Sequence, residues 1–141
     1  MSNNKTERVG MKIIIIGPLP PTRGGIAGAT HEFCTLLGES NTVIGLSFKR
    51  LYPSILFAHS RMDEKKEKLS YEKREWVDAL NPLNWWNVST FIRREKPDRV
   101  FFVWWTTYLF PCYFFINLLI RGHTTTAAMI HNVFPHGVKN A

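Results

Sequence analysis

The residues best placed to do chemistry begin with a glycine-rich stretch. Gly17-Pro-Leu-Pro-Pro-Thr-Arg-Gly-Gly-Ile-Ala-Gly28 follows a run of isoleucines and precedes a segment of helical periodicity. Adjacent glycines before a helix let backbone N–H groups approach a ligand closely. The helix N-terminus adds partial positive charge, so phosphate or carboxylate is favoured there. Arg23, beside Gly24 and Gly25, strengthens that reading. The alternative is a tight turn that only feeds the helix, but two adjacent glycines exceed what a turn needs. The dinucleotide fingerprint GxGxxG is absent, and Lys49 and Arg50 stand where a ribose-binding acid would be. No Gly-Lys-Ser/Thr of a phosphate-binding P-loop occurs.

A second group of candidates sits where later strands should end. His131 and Asn132 follow the last apolar strand segment, with His136 shortly after. A histidine at a strand end can donate a hydrogen bond to a hydroxyl or a leaving phosphate, or it can be a structural cap. Arg50 and Tyr52 follow the second strand segment and are candidates for the same rim. Trp104 and Trp105 either form an apolar, sugar-stacking wall or fill the core. His31, His59 and His123 read as surface or helix-face residues. No Cys/His cluster has metal-ligand spacing. Cys34 and Cys112 read as small core residues in a reducing compartment.

These groups need elements to hold them. Lys12–Ile16 is nearly all isoleucine, the pattern of a strand buried on both faces. Ile26–Leu37 has helical spacing and stops at Gly38, and Thr42–Leu46 is the next strand. Strand, glycine loop, helix and strand make the opening unit of a doubly wound sheet. Ser47–Leu80 is the least regular part, and its charged run Arg61–Glu75 reads as a solvated helix or loop. Asn81-Pro82 starts a helix over Asn84–Lys96, which Pro97-Asp98 ends. Arg99–Trp105 reads as a strand, Tyr108–Ile120 as a helix and Thr126–Ile130 as a strand. The expected fold is an α/β, Rossmann-like three-layer sandwich with a mostly parallel sheet of about five strands.

The chain has 141 residues and a formal charge of +7. The mixed run Arg61–Glu75 nearly cancels, so the surplus is scattered over residues such as Arg93, Arg94, Lys96, Arg99 and Arg121. A diffuse surplus suits anionic small molecules or an anionic membrane surface. Nucleic acid is disfavoured, since no basic stripe with interleaved aromatics occurs. Val100–Ile120 has no charged residue and is long enough to span a bilayer. Thr106-Thr107, Pro111 and Asn117 interrupt it, which favours strand, loop and helix, with contact at a membrane surface as a further reading. Residues 1–10 are polar and show no secretory signal.

Five pieces in order carry a family resemblance: GPLPPTRGGIA after the first strand, LSFKRLYP after the second, LNPLNWW before a helix, KPD before a strand ending WW, and HNVFPH after the last strand. With them the chain resembles the N-terminal domain of glycosyltransferase family 4, over Lys12–His136. The resemblance implies the N-terminal half of a GT-B fold, two facing Rossmann-like domains. It implies a nucleotide-diphosphate sugar as substrate, transfer with retention, and no metal or other cofactor. Gly24 and Gly25 would approach the donor phosphate, and His131 would lie near the transferred sugar. Most of the donor would be held by a second, C-terminal domain. Gly137 stands where the family usually has an acid, and residues 58–61 lack its usual Pro-Gly.

The resulting expectations divide the chain into a polar extension (1–10), the acceptor-side domain (11–136) and a short tail (137–141), with the donor-binding domain absent. On that basis the chain alone is expected to be inactive, and to need a C-terminal-domain partner in trans. The acceptor would be a glycan or a lipid-linked acceptor, that is a polysaccharide or glycolipid, and the location the cytoplasm or the inner face of the membrane. The alternative is a non-catalytic Rossmann-like binding or docking subunit, a truncated remnant that could also associate with a membrane.

Overall fold

Isoleucine alternates across the central strand and thereby builds both halves of the core. The computed structural model describes residues 10–20, 22, 24–50 and 69–131. Its strands are β1 (Lys12–Ile16), β2 (Thr42–Arg50), β3 (Glu72–Asp78), β4 (Arg99–Trp104) and β5 (Thr125–Ile130). Its helices are α1 (Gly25–Gly38), α2 (Pro82–Glu95) and α3 (Phe110–Ile120), with a single 3-10 turn at Thr107–Leu109. The strands form one sheet in the order β3-β2-β1-β4-β5, and every pairing is parallel. Ile14 and Ile16 point into the cluster built with α2 and α3. Ile13 and Ile15 point the other way, into the cluster built with Cys34 of α1 and Tyr71. A strand buried on both faces needs apolar residues at every position, which the isoleucine run supplies.

The chain winds outward from β1 in both directions. From β1 it passes through α1 to β2, and β3 lies beyond β2. It then returns through α2 to β4, on the other side of β1, and through α3 to β5. Right-handed crossovers on opposite sides of β1 place α1 on one face and α2 with α3 on the other. Lys12 fastens the amino end of β1 to the later chain. Its ammonium pairs with Glu95 and its N–H donates to Asp98 (2.7 Å).

Local signals set the helix ends. The Asn81 side chain accepts from the Leu83 N–H (3.0 Å), and Pro82 occupies the first turn of α2. Lys96 ends α2 in the left-handed conformation (φ 48°), just before Pro97. The two free cysteines are buried, and burial pushes both thiols up to about 12.

The expected Rossmann-like sandwich with a parallel sheet of five strands is what the chain forms. Two other expectations need revising. The charged run does not end as a solvated helix or loop, because Glu72–Glu75 opens strand β3. Charged side chains are how an edge strand resists pairing with a stranger, so this composition fits an edge. β2 also runs on to Arg50, past irregularities in its register near Phe48, so Arg50 ends the strand rather than following it. Val100–Ile120 divides into strand, turn and helix as expected, and among the described residues no helix is long and apolar enough to cross a membrane.

Candidate functional site

In a parallel sheet every strand ends on the same rim. The carboxyl ends of β1, β2, β4 and β5 therefore gather Gly17, Gly24, Gly25, Arg50, Trp104-Trp105 and His131 along one edge. Strand order reverses between β1 and β4, and open α/β sheets bind ligands at that position. From β1 the exit of β5 is two strands away, about 10 Å at ordinary strand spacing. Arg50 lies one strand away on the opposite side.

The glycine turn is anchored by its first half. The Gly17 N–H donates to the Leu46 carbonyl (3.1 Å). The buried Ser47 hydroxyl accepts from the Leu19 N–H (3.2 Å), and Leu19 is itself wholly buried. Lys73 donates to the Pro20 carbonyl (2.8 Å). The second half is different. Gly24 sits at φ 127°, a conformation that requires glycine, and is the N-cap of α1 without a side-chain cap. Gly25 and Gly28 have no such backbone requirement, and a Cβ at either would meet nothing within 4 Å. The first turn of α1 holds no acidic side chain. Among the described residues nothing therefore crowds this uncapped helix N-terminus, whose N–H groups and dipole favour an anion.

His131 continues the β5 ladder, its N–H donating to the Trp104 carbonyl (2.7 Å). Its Nε2 is buried and has no hydrogen-bond partner among the described residues. A buried polar atom without a partner is rare, and a ligand hydroxyl or phosphate oxygen arriving at the rim would satisfy it. The two tryptophans are half-buried rather than free platforms. Trp104 meets Phe110 edge-on (6.3 Å between ring centroids) and Trp105 meets Phe48 edge-on (6.2 Å). Trp105 packs against both halves of the core. Tyr113 supports this end of the sheet from beneath, its hydroxyl 2.9 Å from the Val103 carbonyl and 3.3 Å from that of Ile16.

Arg50 is held by Asp78 at the end of β3, Nε to carboxylate, at 2.8 Å. Asp78 is only 5% exposed, while the Arg50 side chain is 47% exposed. Asp78 also accepts from the Leu80 N–H (3.0 Å), its own N–H donates to Asn84 (2.8 Å), and the Trp85 indole N–H donates to its carbonyl (2.7 Å). Burial pushes the Asp78 carboxyl up. The hydrogen bonds from Arg50 and Leu80, with the charges of Arg50 and Lys49, outweigh it and leave the group below its ordinary 3.8. A lowered folded-state pKa contributes stability above the unfolded value, and that stability is lost as pH falls through the folded pKa. Urea unfolding of the parent and of Asp78→Asn should therefore differ most near neutral pH. The difference should narrow below about pH 4, and a gap that widened there would contradict this arrangement.

The structure thus brings Gly24, Gly25, Arg50, Trp104, Trp105 and His131 to one rim. Arg23, Tyr52, Asn132 and His136 lie outside the described residues, as does His59. His31 is a helix residue whose Nδ1 lies 2.7 Å from the Tyr71 hydroxyl, and His123 is exposed at the opposite end of the sheet. The sequence reading missed Asp78, Asn84 and Trp85. The available signal was a lone acid in the apolar run Trp76-Val77-Asp78-Ala79, where burial of a carboxylate demands partners.

The fold defines the chain as a Rossmann-like α/β domain with a glycine-rich turn at its switch point. No family model matches the sequence, and no curated protein matches it either.

Proposed function

We propose that the chain is the acceptor-side, N-terminal half of a retaining, nucleotide-sugar-dependent glycosyltransferase resembling family 4, acting on a polysaccharide or glycolipid acceptor. The observation that carries this reading is the uncapped N-terminus of α1 at the switch point, where a Cβ on Gly25 or Gly28 would meet no described residue within 4 Å. Gly24 and Gly25, with Arg23, receive the donor diphosphate. His131 offers its unpartnered Nε2 to the transferred sugar or the leaving phosphate. Arg50, steadied by Asp78, presents a cation on the acceptor side. Tyr52, Asn132 and His136 complete the cleft in this reading, and the edges of Trp104 and Trp105 form its apolar wall. Affinity for the donor is weak without a second domain, which in that family holds most of it. The buried free thiols suit a reducing compartment such as the cytoplasm.

Isothermal titration with UDP-, GDP- and ADP-sugars tests the assignment. Saturable binding is expected for at least one donor, weakened roughly tenfold or more by Gly25→Val, a change of about 1.4 kcal/mol. His131→Ala should weaken it less, because the histidine faces the sugar rather than the phosphates. A folded protein that binds none of the donors would defeat the donor-site reading.

A second reading, a non-catalytic docking subunit, is favoured by β5. This edge strand, Thr-Thr-Ala-Ala-Met-Ile, has no charge or proline and is poorly covered on both faces. Adding the donor-binding half of a related enzyme in trans separates the two, since only the first predicts sugar transfer.

A further inference from the structure

Helix α3 is apolar on both sides. Cys112, Tyr113, Ile116 and Ile120 face the core. On the opposite side Phe110, Phe114 and Leu118 are 51%, 54% and 51% exposed, at a spacing of four residues that aligns them in one stripe. The Phe110 and Phe114 rings stack on each other at 5.3 Å. An exposed row of this kind marks a surface that meets something apolar.

Charge says what it meets. The stripe runs down α3 into exposed Arg121, and two residues later His123 joins Thr90, Arg93, Arg94 and Lys96 around a shallow depression at the end of α2. Between Pro82 and His131 the only acids are Glu95 and Asp98, at the amino end of the sheet. Glu95 is taken by Lys12, and Asp98 accepts from the Lys12 N–H. Arg93, Arg94, Lys96 and Arg121 have no carboxylate partner among the described residues. An aromatic and aliphatic stripe ending in uncompensated cations complements a surface that is apolar within and anionic outside.

We propose that the outer face of α3, with the basic depression beside it, docks the protein onto an anionic lipid bilayer. Phe110, Phe114 and Leu118 enter the boundary between headgroups and acyl chains, while Arg121, Arg93, Arg94 and Lys96 meet lipid phosphates. The proposal does not rest on glycosyl transfer: Phe110 meets Trp104 at the rim, but the stripe and the cations are separate from the glycine turn and His131 that carry the proposed donor site.

The test is sedimentation of the full chain with vesicles of mixed phosphatidylglycerol and phosphatidylcholine, and with phosphatidylcholine alone. Binding is expected only to the mixed vesicles, and raised salt should release it. Replacing Arg93 and Arg94 together by Gln should weaken binding roughly 25-fold, from about fivefold per charge. Replacing Phe110 and Phe114 together by Ser should weaken it roughly tenfold or more. All four side chains are exposed, so melting temperatures should not move. If the phenylalanine pair does lower the melting temperature, Leu118→Gln replaces it as the readout. Absence of binding to the mixed vesicles overturns the proposal, and so does equal binding to pure phosphatidylcholine. A dimer in sedimentation velocity that the phenylalanine pair dissolves, without vesicle binding, also overturns it and makes the stripe an interface between copies.

Discussion

Gly17→Val should cost the domain about 3 kcal/mol, while Gly25→Val should leave its stability nearly unchanged. The two glycines lie in one turn but are glycine for different reasons. A Cβ on Gly17 would fall 2.7 Å from both Cβ and Cγ2 of Val103, inside the contact between β1 and β4. Val103 is wholly buried, and its Cβ is tied to the backbone of a central strand, so nothing there can swing aside. At Gly25 the same Cβ meets open space. Urea unfolding of the two variants measures the contrast. Equal losses would mean that the turn is a single packed unit, and Gly25 would then have no need of a ligand to explain it.

A loss of about 4 kcal/mol is expected for Trp85→Ala, against about 1 kcal/mol for Trp85→Phe. The indole is buried against Phe115 of α3 (5.8 Å between ring centroids), so its removal opens a cavity between the two helices. Phenylalanine keeps most of the volume and loses mainly the hydrogen bond to the Asp78 carbonyl. Because that bond holds the turn carrying Asp78, Trp85→Phe should also loosen Arg50. Chemical denaturation gives both stabilities, and the Arg50 Nε–H resonance reports the loosening. If Trp85→Phe proved as damaging as Trp85→Ala, the hydrogen bond rather than the packing would govern this junction.

Periodicity made the interior of the fold legible and left its border obscure. β1 announces itself because a strand covered on both faces has little use for polar residues. Asn81-Pro82 and Lys96-Pro97 mark the ends of α2 by local chemistry that needs no partner. β3 hides because Glu72, Lys73, Arg74 and Glu75 serve an exposed edge, and charge reads as solvated chain when neighbours are unknown. The Arg74 guanidinium in fact lies 4.7 Å from the centre of the Phe91 ring, a contact that no short window of sequence contains. The site divides similarly. Adjacent glycines before a helix suggest their own role, whereas the pairing of Arg50 with Asp78 spans 28 residues and depends on β2 and β3 being neighbours. The burial of His131 Nε2 depends on packing at the rim, which no spacing encodes.

The position of β1 has a consequence for how the chain comes to be folded. Its partners are β2, nearby in sequence, and β4, whose Arg99 pairs with Ile13 and whose Phe102 pairs with Ile16. Until β4 has left the ribosome, the isoleucine strand can be closed on one side only. A nascent chain that pauses in α2 would present an apolar strand with an open flank, the kind of surface that aggregates or recruits chaperones. Closure across so many residues is intrinsically slow. The Lys12 links to Glu95 and Asp98 form at that same late step, so they act as a latch on a nearly finished sheet rather than as a nucleus for it.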